Sequence, residues 1–247
     1  MTVVLAIRSA EGVVLASDGQ VTADTAGQPT RAPARKLFEV GGRLAWGAAG
    51  SAGLQQTLRA ELAGLNGYAT DAERLRQRLA SIVIPIQQQG LTHYVPHPGT
   101  DPPELAVIFC WCDGDGPRIL EIPRTGSDHQ FHDRYCAIGS GDIFARFAMA
   151  SVAHLDTREL TLEQAKMVAF KAIADAIEVA AFFLGPPIQL YVVGQDGTRL
   201  VPTEEVANGL ADSVEAWKER QREALGPLAA ASRSPSPYES SKTRRSR

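Results

Sequence analysis

The chain has 247 residues, a formal net charge of −3 and 44% hydrophobic residues, which is enough chain to bury one large core. The slightly acidic balance does not favour a nucleic-acid partner. No apolar run reaches the roughly 18 residues that a membrane span needs, and the N-terminus lacks the basic segment of a signal peptide. We therefore expect a cytoplasmic protein with neither a membrane nor a nucleic-acid partner.

The first fifty residues show two pairs of β-rich runs, and each pair is joined by a short turn that contains glycine. This pattern predicts two β-hairpins, with strands over residues 3–8, 13–20, 36–40 and 43–49. The first hairpin returns Asp18 to the level of Thr2, and Lys36 opens the second. A glycine-rich junction at residues 50–53 then leads into a helix and offers backbone N–H groups to an anion or oxyanion.

The rest of the chain alternates between paired helices and strands. Thr70 opens a capping-box pattern, and Pro85 is expected to kink or end the helix in which it lies. Helices are predicted over residues 51–65, 70–89, 142–153, 161–184 and 204–225, and strands over residues 104–112, 117–123, 134–140, 188–193 and 198–201. Successive hairpins and paired helices indicate antiparallel sheets covered by helical layers in one domain, residues 1–225. Residues 226–247 are rich in Ser, Pro and basic residues and predict a disordered tail.

Thr2 carries the first chemical signal, because removal of Met1 would expose a threonine α-amine at the start of an apolar strand. A threonine hydroxyl is a weak nucleophile, but a neighbouring free amine can act as its general base. The reference pKa of an α-amine is about 8, so part of it is uncharged near neutral pH. This pattern predicts an N-terminal nucleophile.

The opening segment resembles the start of a proteasome β-type subunit, an N-terminal-nucleophile threonine hydrolase. The resemblance rests on a leading Thr, a Gly in the first turn, an "A-x-D" triplet, a Lys before an apolar pair and an "A-G-x-x-G" run. This chain supplies them as Thr2, Gly12, Ala16-Ser17-Asp18, Lys36-Leu37-Phe38 and Ala49-Gly50-Ser51-Ala52-Gly53. Asp18-Gly19-Gln20 and the Met1-Thr2 start are closer to the bacterial peptidases of the family, which include the heat-shock peptidase and the bacterial proteasome homologues.

The family resemblance implies an α+β fold, a four-layer αββα sandwich of two antiparallel sheets flanked by helices. It also implies roles for single residues: Thr2 as nucleophile, Lys36 held by Asp18 as a nearby positive charge, and Gly50 as oxyanion donor. Ser140, in a Gly-Ser-Gly run, would orient the α-amine; its alternative role is a helix N-cap. No cofactor is implied.

The resemblance further implies how a substrate would bind. Val21, Thr22, Gly50, Ser51 and Ala52 would lie along an extended peptide, and Ala48 and Ala52 would line a roomy first side-chain pocket. We expect this pocket to prefer larger apolar side chains. The substrates would be unfolded polypeptides or peptides, enclosed by a homo-oligomeric double ring of six or seven subunits per ring, with an ATPase unfoldase as a further partner by analogy.

One part of the family pattern is not matched. The supporting Asp and Ser of many relatives fall on the stretch from Asp175 to Ala181, where Glu178 could replace the Asp but Ala181 stands in place of the Ser. Three residues, Gly185-Pro186-Pro187, look inserted shortly after it. Since the heat-shock peptidase also varies here, this departure does not exclude activity.

The remaining reactive residues predict no second chemistry. Cys110 and Cys112 alternate on one predicted strand and would face the same side of it. His129, His132 and Cys136 could form a metal site or a cysteine–histidine pair, but the strand pattern around them does not bring the two histidines together. We therefore expect no metal.

Two alternatives to the threonine peptidase stay open at this point. One is a catalytically silent ring subunit that acts as a scaffold, against which the intact set of Thr2, Asp18, Lys36 and Gly50 argues. The other is an N-terminal-nucleophile amidohydrolase acting on small amides, which would be a monomer or small oligomer.

Overall fold

The computed structural model describes residues 1–25, 28–65, 71–96, 101–124 and 128–231. Its strands, in chain order, are β1 (Val4–Arg8), β2 (Gly12–Ser17), β3 (Gln20–Thr25), β4 (Gln28–Pro33), β5 (Leu37–Val40), β6 (Leu44–Gly50), β7 (Leu105–Asp113), β8 (Gly116–Ile122), β9 (Gln130–Phe131), β10 (Tyr135–Ile138), β11 (Gln189–Gly194) and β12 (Gly197–Leu200). The α-helices are α1 (Ala52–Ala63), α2 (Ala72–Thr92), α3 (Asp142–Ser151), α4 (Leu162–Val179) and α5 (Ala211–Ala231).

Two five-stranded antiparallel sheets form the centre of the molecule. The first has the strand order β10-β1-β2-β11-β12 and the second the order β5-β6-β7-β8-β9, while β3 and β4 pair separately. One apolar cluster lies between the sheets, a second lies between the first sheet and helices α3 and α4, and a third lies between the second sheet and helices α1 and α2. The predicted four-layer αββα sandwich is confirmed.

The strand register positions the N-terminal residues. In the first hairpin Val4 lies opposite Ser17, so the chain just before β1 runs beside the chain just after β2. The backbone N–H of Val3 accordingly donates to the carboxylate of Asp18, at 3.1 Å. The predicted return of Asp18 to the level of Thr2 is confirmed.

Several features of the fold differ from the predicted elements. Helix α4 ends at Val179 and not at residue 184, and the short strand β9 was not predicted. The hairpin of β3 and β4 was not predicted, because its sequence is polar and contains two prolines rather than alternating apolar residues. Helix α2 continues seven residues past Pro85 to Thr92 and is not ended by it. Its N-cap is Asp71, whose carboxylate accepts from the N–H groups of Glu73 and Arg74; Thr70 lies outside the described residues.

The C-terminal helix lies later in the chain than predicted, because α5 begins at Ala211, after a π-helical stretch Glu205–Leu210, and not at residue 204. Helix α5 continues to Ala231, past the predicted end at residue 225, and residues 232–247 lie outside the described residues. None of the helices within the described ranges is long and apolar enough to cross a bilayer.

Candidate active site

Thr2 is held through its backbone by the segment that joins β10 to α3. Its N–H donates to Ser140 Oγ at 3.3 Å, and its carbonyl accepts from the N–H of Gly141 at 3.0 Å. Gly141, not Ser140, is the N-cap of α3. Of the two roles considered for Ser140, the contact with the Thr2 nitrogen is therefore the one found.

Gly139 is a site residue that the sequence analysis missed. Its φ is +101°, a conformation that favours glycine, and a Cβ there would overlap with the carbonyl of Thr2. The sequence signal was present, because the Gly-Ser-Gly run has a glycine on both sides of Ser140. The first glycine permits the close approach, and the second donates the hydrogen bond.

Asp18 and Lys36 form a buried ion pair below Thr2. Lys36 Nζ lies 2.7 Å from Asp18 Oδ1, and the side chains are 5% and 0% exposed. Asp18 also accepts from the N–H groups of Val3 and Gln20, at 3.1 and 3.3 Å. Burial lowers the pKa of Lys36, and the neighbouring Asp18 carboxylate opposes that shift.

Gln189, at the start of β11, fixes the backbone around Lys36. Its Oε1 accepts from the N–H of Lys36 at 3.0 Å, and its Nε2 donates to the carbonyl of Ala34 at 2.6 Å. No sequence pattern indicates this role, since a single polar residue at the start of an apolar strand is not distinctive. The segment before β5 is thereby tied to the first sheet.

Gly50 is the last residue of β6 and has a backbone conformation that residues with a side chain rarely adopt. Its φ is +121°, and a Cβ would overlap with the carbonyl of Glu104, which also accepts from the N–H of Ser51 at 2.7 Å. The predicted glycine junction between strand and helix is confirmed, because α1 begins at Ala52. Glu104 could not be identified from the sequence, since it acts here through its backbone.

The catalytic candidates meet at two cavities that share Thr2, Val21 and Gly50. The first cavity is also lined by Ser140 and by the exposed ion pair of Glu104 and Arg124. The second is also lined by these residues: Ala34, Arg35, Lys36, Phe38, Ala52, Gln55, Gln56 and Arg59. Asp18 lies behind Lys36, completely buried.

The expected substrate-binding residues occupy different positions around these cavities. Val21 is 39% exposed and Ala52 lines the second cavity, whereas Ala48 is buried and lines neither. Ser51 is the N-cap residue of α1, between Gly50 and Ala52. Thr22 belongs to β3, and its side chain lies outside the described part of the structure.

Two arginine side chains line the second cavity beside Phe38. The guanidinium groups of Arg35 and Arg59 lie 5.3 and 5.0 Å from the centre of the Phe38 ring. Arg35 also donates to the carbonyl of Leu37 and to the hydroxyl of Tyr191. Within the described residues neither guanidinium is paired with a carboxylate, and both line the cavity.

The stretch that departs from the family pattern does not reach Thr2. Asp175 pairs with Lys171 within α4, and the largely exposed carboxylate of Glu178 lies 3.9 Å from Lys218 of α5. Glu178 therefore does not take the place of the supporting Asp. Gly185, in the segment that looked inserted, instead accepts a hydrogen bond from the N–H of Gly19 at 2.9 Å.

The other reactive residues lie away from Thr2. Cys110 and Cys112 both face the apolar layer between the sheets, as their alternation predicted, and burial raises the pKa of Cys112 to about 11. Glu121, His132 and Cys136 lie together at one edge of the sandwich, without His129. Glu121 was not foreseen as a third member of this cluster.

Met1 precedes Thr2 in the structure, so the Thr2 nitrogen belongs to a peptide bond. Met1 lines the first cavity, and its own amine has a lowered pKa because of burial and the positive charge of Lys36. An N-terminal amine at this place is therefore close enough to Lys36 to be affected by its charge. Thr2 has a free α-amine only once Met1 is removed.

The sequence is similar to those of known proteasome subunits. The family model "Proteasome subunit" matches residues 2–193. The chain is 28% identical over 205 residues to proteasome subunit beta 2 of Pyrobaculum neutrophilum, covering 78% of this chain and 89% of the relative. It is 27% identical over 227 residues to proteasome subunit beta of Stackebrandtia nassauensis, covering 83% and 75%.

The fold has a solved counterpart. A mutant of Anbu from Hyphomicrobium sp. strain MC1 superimposes with a TM-score of 0.69 over 93% of this chain and 100% of that chain. The identity is 17%, so this likeness concerns the fold alone.

Proposed function

Because the chain belongs to the proteasome subunit family, we propose that it is a threonine-type endopeptidase with Thr2 as its nucleophile. The single observation that supports this most is the convergence of Thr2, Lys36, Gly50 and Ser140 on two adjoining cavities, with Asp18 bound to Lys36. Each of these residues was also predicted from the sequence.

The proposed reaction begins after removal of Met1. Thr2 Oγ attacks the carbonyl carbon of a peptide bond, and the α-amine of Thr2 accepts the hydroxyl proton. The positive charge of Lys36 lowers the pKa of that amine and favours its uncharged form. Ser140, already bound to the Thr2 nitrogen, keeps the amine oriented toward the hydroxyl.

The later steps use the backbone around Gly50. Its N–H donates to the oxyanion of the tetrahedral intermediate, and one such donor contributes about 3 kcal/mol. The amine then passes the proton to the leaving nitrogen, and an ester links Thr2 to the acyl half of the substrate. Water activated by the same amine hydrolyses this ester and regenerates Thr2.

An extended peptide would fit between the residues that line the two cavities. In the described structure β3 pairs with β4 along one edge. Val21 on β3 lines both cavities together with Gly50, and Ala52 lines the second cavity. A substrate strand between them would use backbone hydrogen bonds for affinity and the second cavity for one side chain. This arrangement favours polypeptides over small amides.

We propose that the subunits form a homo-oligomeric double ring with the sites inside, which keeps folded proteins away from an unselective nucleophile. Ile143 and Phe147 support assembly, because they are 50% and 68% exposed and lie four residues apart on α3. Each ring would hold six or seven subunits, and an ATPase unfoldase is proposed as a partner by analogy with the family. The cytoplasm is the proposed compartment.

Kinetics of a Thr2→Ala variant test this function against a silent scaffold. We expect peptide hydrolysis to fall by a factor on the order of 10³ or more, as for other removed nucleophiles. Thr57→Ala is the matched control, because Thr57 is exposed on α1 and its hydroxyl bonds only to the carbonyl of Gly53 among the described contacts. Equal activity of the parent chain and Thr2→Ala would reject the proposal.

A further inference from the structure

A second cluster of reactive side chains lies at one edge of the sandwich and takes no part in the proposed reaction. Glu121 is on β8, Cys136 is on β10, and His132 lies between β9 and β10. One potential ligand atom from each lies within 4.8 Å of the other two. His132 Nε2 and Cys136 Sγ lie 2.8 and 3.3 Å from the same oxygen, Glu121 Oε2.

The cluster joins the two central sheets. Strand β10 is an edge strand of the first sheet, and β8 and β9 are the last two strands of the second sheet. The chain passes from one sheet to the other through residues 132–134, which include His132. A ligand held by all three side chains would therefore connect two sheets that share no backbone hydrogen bonds at this edge in the described pairings.

The strand alternation explains why His132 and not His129 belongs to the cluster. Phe131 packs edge-on against Trp111 on the face covered by α1 and α2. His129, two residues earlier, lies on that same face, and its carbonyl accepts from Arg76 of α2. His132 follows on the opposite face, toward Glu121 and the first sheet.

The three donor atoms match a particular class of ion. Zn²⁺ binds thiolate sulfur, imidazole nitrogen and carboxylate oxygen in tetrahedral sites. With Zn–N near 2.1 Å and Zn–S near 2.3 Å, ligand atoms lie about 3 to 4 Å apart, so small side-chain movements suffice here. Ca²⁺ and Mg²⁺ prefer oxygen ligands and are disfavoured by the thiol and imidazole.

The exposure of the cluster allows an ion to enter and leaves one position open. The Glu121 and His132 side chains are 15% and 22% exposed, whereas Cys136 is 1% exposed. The nearby cation Arg146 does not occupy the cluster, because its guanidinium donates to Asp142 and to the carbonyl of Ala137. Solvent can therefore supply a fourth ligand.

We propose that Glu121, His132 and Cys136 bind one Zn²⁺ ion that joins the two sheets at this edge. Binding replaces the thiol proton of Cys136, which is released to solvent, and the neutral imidazole of His132 donates its Nε2 lone pair. The ion stabilises the sandwich and does not touch substrate. The proposal does not depend on the activity of Thr2.

The competing account is a metal-free set of hydrogen bonds in which Glu121 accepts from both partners. Burial and the adjacent carboxylate raise the pKa of Cys136, which fits a protonated thiol in the absence of metal. The two accounts differ in whether the cluster takes up a divalent ion in solution.

Metal loading of the full-length protein separates them. The purified protein is stripped with a chelator, incubated with Zn²⁺, desalted and analysed for zinc per chain by mass spectrometry. We expect one zinc per chain, and a melting temperature higher by about 5 °C or more with Zn²⁺ at 100 times its dissociation constant. Zinc well below one per chain after loading would overturn the proposal.

Cobalt(II) identifies the ligands. The parent protein should show a thiolate-to-cobalt charge-transfer band that disappears in Cys136→Ser and persists in the control Cys112→Ser. His132→Asn, whose side chain is partly exposed, should weaken zinc binding by at least tenfold, while His129→Asn should not. A band that survives in Cys136→Ser, or unchanged zinc affinity in His132→Asn, would refute the assignment even if one variant folds poorly.

Discussion

The ammonium group of Lys36 lies 2.7 Å from the carboxylate of Asp18, and neither side chain has appreciable contact with solvent. The two residues are eighteen positions apart and adjoin different sheets, since Asp18 follows β2 and Lys36 precedes β5. Two backbone N–H groups also donate to the carboxylate. The pair thus fixes a positive charge beneath Thr2 and ties the segment before β1 to both sheets.

Removing one partner of this pair should damage both stability and activity. We expect Asp18→Ala to cost about 3 to 5 kcal/mol of unfolding free energy, because Lys36 is left buried and unpaired. Lys36→Met should reduce kcat by at least about 10²-fold through loss of the charge near the Thr2 amine. Urea denaturation and peptide kinetics measure the two effects.

The control for this prediction is Lys218→Met, which removes exposed pairs with Glu178 and Glu215. Its unfolding free energy should change by no more than about 0.5 kcal/mol. An Asp18→Ala variant as stable and active as Lys218→Met would contradict the role given to the buried pair.

Two glycines at the start of α1 should respond oppositely to the same substitution. Gly50→Ala forces a Cβ against the Glu104 carbonyl at a positive φ, so we expect lower stability and a fall in kcat of about 10²-fold or more. Gly53→Ala meets only Ser51 Oγ at 3.8 Å and should raise stability by about 0.5 to 1 kcal/mol. Similar behaviour of the two variants would contradict this account.

The charge of the second cavity predicts the side chains that the enzyme prefers. Arg35 and Arg59 line it beside Phe38, so peptides with Glu or Asp before the cleaved bond should be hydrolysed faster than peptides with Leu there. We expect Arg59→Gln to lower kcat/KM for the acidic peptides roughly tenfold, about 1.4 kcal/mol. Arg43→Gln, in the exposed turn between β5 and β6, should change nothing.

A peptide set that varies only this one side chain measures the preference. Faster cleavage after Leu than after Glu in the parent chain would contradict the acidic preference and support the apolar pocket expected from Ala48 and Ala52. If Arg59→Gln leaves a preference for acidic side chains unchanged, residues other than Arg59 cause that preference.

Assembly should depend on the exposed face of α3. Phe147→Glu places a charge on a side chain that is 68% exposed in the single chain and that we expect to be buried between subunits. The oligomer should dissociate into smaller species, as measured by light scattering after gel filtration. Leu91→Glu, at a 56% exposed position of α2, is the control; identical masses for both variants and the parent would argue against this interface.

The sequence predicted what depends on short patterns and missed what depends on tertiary contacts. Thr2, Asp18, Lys36 and Gly50 lie at hairpin ends and a glycine junction, and their roles were predicted because together they match the family pattern. Gln189 acts through backbone groups far away in the chain, so no local pattern reveals it. Pro85 was expected to kink or end α2, and it does not end it. Pro85 lies on the exposed side of the helix, where the carbonyl of Ser81, to which Pro85 has no N–H to donate, can reach water, while Val83 and Ile86 are buried next to it.

The mass of the intact protein shows whether Thr2 is an N-terminal nucleophile. The purified chain is weighed before and after exposure to a peptide epoxyketone, which reacts only with a threonine hydroxyl that has its own free α-amine. We predict a mass that lacks Met1 and then gains one inhibitor, located on Thr2 by peptide mapping. A chain that retains Met1, or that lacks it and forms no adduct, would contradict this role of Thr2.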